Sequence, residues 1–185
     1  LTITDKILKA TLLKLFPEKV TPNQVTIFRF FTIPFILFLL FTEEYRWGLI
    51  LFSISAFSDA VDGSLARTRN MITEWGETFD PVADKILISS TALVILPKFF
   101  GYPLIFALIF MEMILIGSAY YRVHNKKVRI SANFWGKTKM FLQSLGLVLA
   151  FLGIIMQSQN LVFASEVSLY SSLLFAIISI ITYGI

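Results

Sequence analysis

The stretch Val25–Phe41, VTIFRFFTIPFILFLLF, is interrupted mainly by Arg29 and Pro34. About 20 mostly apolar residues in a row match the hydrocarbon core of a bilayer, at about 1.5 Å of helical rise per residue. The rest of the chain has the same character: of its 185 residues 56% are hydrophobic and only 15% charged. That is too apolar for an ordinary soluble domain. The sequence therefore reads as an all-α integral membrane protein, organised as one domain over residues 1–185.

Six transmembrane helices are expected. Thr21 can cap the first and Pro22 suits its first turn, so that span runs over about 22–42. A second starts near Trp47 and runs through LILFSISAFSDAVDG. Four more cover about 77–99, 103–121, 134–156 and 162–183. Residues 1–20 read as an amphipathic interfacial segment, with Ile7, Leu8, Leu12 and Leu15 near one helical face and Lys6 and Lys9 on the other. The opening lacks the charged start, apolar core and small-residue cleavage site of a signal peptide, so none is expected. There are no cysteines, which rules out disulfides and thiolate metal sites.

The net charge of +4 reports topology and headgroup contact rather than nucleic acid. Lys6, Lys9, Lys14 and Lys19 precede the first span, and Arg67 and Arg69 lie between the second and third. Arg122, Lys126, Lys127, Arg129, Lys137 and Lys139 lie between the fourth and fifth. The opposite loops carry Arg46 and Lys98 beside Glu43, Glu44 and Glu166. Short loops rich in Lys and Arg stay in the cytoplasm. Both termini and the polar ends of spans two and three are thus expected there.

Those polar ends hold SDAVDGSLARTRNMITEWGETFDPVADKI. Asp59, Asp62, Gly63, Ala66 and Arg67 fall at i, i+3, i+4, i+7 and i+8, one stripe of a helix. Gly76, Asp80 and Asp84 fall at i, i+4 and i+8 on the next. The short connection makes the two helices antiparallel neighbours, and their four carboxylates then face one gap. Such a gap needs positive charge. The all-oxygen donor set, without Cys or His, favours Mg²⁺, with Mn²⁺ next, and four Asp could hold two ions. Gly63, Ala66 and Gly76 open room for close packing or a ligand, and Arg67 suits a phosphate. One Asp near a span end is commonly structural. Four at helical spacing, beside small residues and an arginine, point to function.

The pattern Asp59-x-x-Asp62-Gly63-x-x-Ala66-Arg67, then eight residues, then Gly76-x-x-x-Asp80-x-x-x-Asp84 resembles the full signature of the CDP-alcohol phosphatidyltransferases. TPNQVTIFR at the first span and FDPVADKI around Asp80 are similar to the family as well. The resemblance implies transfer of a phosphatidyl or related group from a CDP-linked lipid to an alcohol, with release of CMP. By resemblance, Asp59, Asp62, Asp80 and Asp84 hold divalent metal, and Asp84 is also the base. Asp59, Asp62, Gly63, Ala66, Arg67, Gly76 and Asp80 would receive the CDP moiety. The resemblance further implies a homodimer. A metal-bound Asp is a weaker base, so Asp84 needs one oxygen free or a loose metal contact to serve both roles.

The acceptor is read from the basic stretch YYRVHNKKVRISANFWGKTK. GKTK at 136–139 resembles the Gly-Lys-x-Lys of family members that make phosphatidylglycerophosphate from glycerol-3-phosphate. Arg122, Lys137, Lys139 and Glu112 are the candidate acceptor-binding residues. Those members carry Arg-Glu on span four where this chain has Met111-Glu112. Inositol phosphate or inositol therefore stays open as the acceptor. Each basic residue could instead serve topology alone, His124 could be a solvated side chain, and Glu112 a structural hydrogen-bond partner. A divalent-cation transporter is the non-enzymatic alternative. It leaves the glycines and Arg67 unexplained, and nothing acidic except Glu112 continues across the membrane. The expected partners are a CDP-linked lipid, a small polar acceptor and membrane lipids, with no nucleic acid.

Overall fold

The structure, a computed structural model, describes residues 21–69, 71, 73–126 and 134–183. The amphipathic segment expected over 1–20 lies outside the described residues. All regular structure among the described residues is helical. The helices are α1 (Pro22–Phe41), α2 (Tyr45–Thr68), α3 (Glu74–Ile95), α4 (Tyr102–Lys126), α5 (Phe134–Met156) and α6 (Gln159–Tyr183). A 3₁₀ turn, Leu96–Lys98, follows α3. Four are long and apolar enough to cross a membrane: α1, α2, α5 and α6. The apolar stretch of α4, Tyr102–Ser118, is shorter. The chain is thus an all-α membrane protein.

It divides into two compact units between Ser90 and Thr91. In the first, α1 packs on α2. Thr21 starts α1 as expected, its N–H donating to Gln24 Oε1 at 3.0 Å. At 20 residues and about 1.5 Å each, α1 spans about 30 Å. Its faces are sorted for lipid. Phe28, Phe31, Phe35 and Phe38 are exposed, while Val25, Ile33, Ile36 and Leu40 are buried. The buried side also holds Thr26, Arg29 and Thr32. Thr32 Oγ1 and Ser55 Oγ, 2.8 Å apart, tie α1 to α2. In lipid the outward phenylalanines cost nothing, so close packing and interhelical polar bonds hold the pair together.

The α1–α2 connection is a Schellman turn. Glu44 N–H donates to Leu39 O at 2.8 Å and Glu43 N–H to Leu40 O at 3.2 Å. Glu43 takes φ 64, the left-handed region where glycine is the usual occupant. In the second unit the α5–α6 connection repeats the device. Ser158 N–H donates to Gly153 O at 3.1 Å, Gln157 N–H donates to Ile154 O at 3.3 Å, and Gln157 has φ 50. The helices that follow pack tightly. A Cβ on Gly146 would stand 2.7 Å from Leu169 Cδ2, and one on Gly153 would stand 2.8 Å from Val162 Cγ2. Ser165 Oγ donates to Gly146 O and Ser168 Oγ to Leu142 O, both at 2.8 Å. The helix α4 packs against α6 and the 3₁₀ turn.

One expected packing differs. Among the described residues, the closely packed helix pair of the first unit is α1–α2, not α2–α3. The start of α3 is instead tied to α1. Thr73 caps α3 through Gly76 N–H, 3.0 Å from its Oγ1, and donates to Asn23 Oδ1 of α1 at 2.8 Å. A side chain at Gly76 would have little room here. A Cβ would meet Thr73 Oγ1 at 3.2 Å, Asn23 Oδ1 at 3.4 Å and Asp80 Oδ2 at 3.5 Å.

Candidate active site

Two carboxylates of the first unit are gathered by an arginine. Arg29, fully buried on α1, places Nη1 at 3.0 Å from Asp59 Oδ1 and Nη2 at 2.7 Å from Asp62 Oδ2. Its Nη1 also reaches the Asp80 carbonyl at 3.5 Å, and its Nε reaches Ser58 Oγ at 3.4 Å. Thr26, one turn earlier, donates its hydroxyl to Asp80 Oδ1. Three helices thus meet at one polar point: α1 brings Arg29 and Thr26, α2 brings Asp59 and Asp62, and α3 brings Asp80. Asp62 is 1% exposed, whereas the Asp59 side chain keeps 39% of its surface open. One carboxylate is therefore committed to the protein and the other is reachable from outside.

Asp84 is buried one turn beyond Asp80 on α3. Arg67 folds back over Gly63, its Nη1 3.2 Å from where a Cβ would stand. Ala66 is partly exposed on the same helix. The glycine thus leaves room for the Arg67 guanidinium to lie along α2.

The donor chemistry fits a hard divalent cation, with carboxylate oxygens, threonine hydroxyls and no sulfur or imidazole among these residues. The point already attracts a cation, the Arg29 guanidinium. Among the described residues no three Asp, Glu, His or Cys side chains stand in ligating range of a common point.

The acceptor candidates lie in the second unit. Lys139 and Glu112 are both buried and ion-paired across α5 and α4, Nζ to Oε1. Gln143 Nε2 donates to the same Oε1 at 3.0 Å. Lys137 is exposed on α5. Arg122 lies on α4, and its side chain, like that of His124, is outside those described. Lys127 and Arg129 fall outside the described residues.

In the sequence Arg29 stands out only as an interruption of the first apolar run, and the structure shows it buried and paired with Asp59 and Asp62. Reasoning from sequence passes over Thr26 and Asn23. The available signal was the run TPNQVTIFR, in which three polar side chains interrupt an apolar helix at positions 23, 26 and 29. That i, i+3, i+6 spacing keeps them near one face.

The fold is that of an all-α membrane protein in which a buried arginine pairs with two carboxylates. A family model for CDP-alcohol phosphatidyltransferase matches residues 19–180, and the chain belongs to that family, whose members use divalent metal ions. Among its relatives is a CDP-diacylglycerol–glycerol-3-phosphate 3-phosphatidyltransferase of Rickettsia prowazekii. It is 31% identical over 139 residues, covering 74% of this chain and 77% of the relative. A protein of the same name from Bacillus subtilis is 32% identical over 140 residues, covering 66% of this chain and 71% of the relative. Another, from Mycoplasma genitalium, is 34% identical over 102 residues, covering 55% and 43%.

Proposed function

We propose that the chain transfers the phosphatidyl group of CDP-diacylglycerol to glycerol-3-phosphate, giving phosphatidylglycerophosphate and CMP. The pairing of the Asp59 and Asp62 carboxylates with buried Arg29, beside the Asp80 carboxylate held by Thr26, supports the donor half of this reading. The acceptor half rests on relatives whose names all specify glycerol-3-phosphate. Inositol draws no such support, and family membership sets the cation-transporter reading aside.

In this reading Asp59, Asp62, Asp80 and Asp84 hold one or two divalent cations, Mg²⁺ or Mn²⁺. When bound, these offset the diphosphate charge and stabilise the departing CMP. Gly63, Ala66, Arg67 and Gly76 receive the CDP moiety, and Arg67 pairs with a phosphate oxygen. Asp84 takes the proton of the acceptor hydroxyl as its oxygen bonds to the lipid-side phosphorus. The phosphoanhydride bond breaks and its electron pair leaves with CMP. Arg122 and Lys137 are the acceptor-side cations for the glycerol-3-phosphate phosphate. The site faces the cytoplasm and both units form one catalytic domain. One family match running across both units supports that last point. Six spans and a homodimer complete the proposal.

The test is a purified preparation given Mg²⁺, CDP-diacylglycerol and glycerol-3-phosphate. CMP and phosphatidylglycerophosphate should appear together. Asp84→Asn should lower turnover by about 10²- to 10⁴-fold while CDP-lipid binding persists, the range for removing a general base. Release of CMP with inositol but not with glycerol-3-phosphate would reassign the acceptor. Binding lost in step with turnover would make Asp84 a metal ligand only.

A further inference from the structure

The helix α3 carries Asp80 and Asp84, yet among the described residues it forms no closely packed pair with α1 or α2. It is tied to α1 by a row of polar bonds instead. Near the start of α3, Thr73 Oγ1 donates to Asn23 Oδ1 at 2.8 Å and accepts from Gly76 N–H at 3.0 Å. One turn on, the Thr26 hydroxyl donates to Asp80 Oδ1. Arg29 Nη1 reaches the Asp80 carbonyl at 3.5 Å, the outer limit of a hydrogen bond. Only the Thr26 bond grips a carboxylate of α3. A hydrogen bond to a charged group contributes about 1.5–3 kcal/mol, against about 0.5–1.5 kcal/mol for a neutral pair. Thr26 is fully buried, so water does not compete for its hydroxyl. Of the three holds on α3 it is the strongest.

The bond also sorts the two oxygens of Asp80. The Thr26 hydroxyl has one proton and two acceptors in reach, Pro22 O at 3.3 Å and Asp80 Oδ1. The charged acceptor is the stronger of the two. The terminal torsion of an aspartate is otherwise broad, so a donor on Oδ1 is what fixes the plane of this carboxylate. Oδ2 lies 3.5 Å from where a Cβ of Gly76 would stand, and the missing side chain leaves that oxygen uncrowded. We infer that Thr26 is a positioning residue for Asp80: it holds the α3 carboxylate near those of α2 and keeps Oδ2 as the oxygen offered to a divalent cation. The inference deepens the proposed function and rests on its metal site. Groups that orient a ligating carboxylate tune metal affinity without touching the metal. A helix that bears none of the motif thus brings the two halves of the motif together.

The first measurement needs no substrate. Mn²⁺ is titrated into the detergent-solubilised protein, and the free ion is followed by electron paramagnetic resonance. Thr26→Val keeps the side-chain shape and removes the hydroxyl. It should weaken Mn²⁺ binding by about 10- to 100-fold, the scale for losing a group that orients a metal ligand. Thr26→Ser keeps the hydroxyl and should stay close to the parent. Thr26→Ala lacks the hydroxyl and cannot overpack, so it should match the valine variant and decides the case if valine does not fold. In turnover, the Mg²⁺ concentration for half-maximal rate should rise in the hydroxyl-free variants. Saturating Mg²⁺ should restore kcat, and KM for glycerol-3-phosphate should not move. Parent-like Mn²⁺ binding in the hydroxyl-free variants would overturn the inference. So would a loss of kcat that excess Mg²⁺ leaves in place, the mark of a merely structural bond. A parent protein that binds Mn²⁺ but releases no CMP would overturn the proposed reaction alone, with the Mn²⁺ comparison still deciding the role of Thr26. A parent that binds no Mn²⁺ would overturn the metal site and this inference with it.

Discussion

Arg29 neutralises two carboxylates that come from a different helix, and it does so with none of its own surface exposed. Removing one partner of a buried ion pair commonly costs about 3–5 kcal/mol, because the charge left behind has no water. Arg29→Met should therefore lower the thermal midpoint of the detergent-solubilised protein sharply. Added Mg²⁺ should raise that midpoint more in the variant than in the parent, since the carboxylates lose their resident cation. An equal Mg²⁺ response in both proteins would mean that Arg29 and the metal do not share these ligands. That Asp59, Asp62 and Asp80 come near one point was legible from helical spacing and the cost of charge in lipid. The arginine was harder to read, because a cation eight residues into an apolar helix can equally snorkel to an interface.

At the scale of elements, two reverse turns hold the helix pairs together with side chains poorly suited to them. Glu43 and Gln157 sit at φ 64 and φ 50, where a residue with a Cβ pays about 1–2 kcal/mol. Glycine at Gln157 removes that strain and returns about 0.4–1 kcal/mol through the entropy of the unfolded chain. Gln157→Gly should thus stabilise the α5–α6 pair by about 0.5–1 kcal/mol, read as a higher midpoint with unchanged activity. A lower midpoint would show that the Gln157 side chain contributes more than its strain costs. These turns explain an asymmetry in what the sequence makes visible. Long apolar runs put α1 and α5 within a residue of their expected ends, and Thr21–Pro22 announced the start of α1. The turns carried no Gly, Asn or Pro to mark them, so the expected start of α6 fell three residues late. The pairing of α1 with α2 was equally hidden, because it depends on Thr32 meeting Ser55, a contact between sites far apart in the chain.

For the whole molecule, the charge asymmetry makes a topological prediction that this chain is well suited to test, because it contains no cysteine. Single cysteines placed at Glu44 and at Met71 lie in the connections at opposite ends of α2. On intact cells a membrane-impermeant maleimide should label the first and spare the second, which becomes reactive once the membrane is opened. The reverse pattern would invert the orientation and put the carboxylate cluster outside. The order of synthesis adds a further consequence. Arg29 leaves the ribosome before any of its partners, and Asp62 follows only 33 residues later. An arginine in the body of a lone apolar helix costs about 2.5–3.5 kcal/mol of insertion free energy. The first helix thus meets the translocation machinery as a poor substrate and becomes a good one only when the second arrives. A chain stopped at Phe41 should integrate less completely than the same fragment with Arg29→Leu, and extension through Thr68 should close the gap. The salt bridge that organises the finished protein would then also set the moment at which its first two helices enter the bilayer, as a pair rather than in turn.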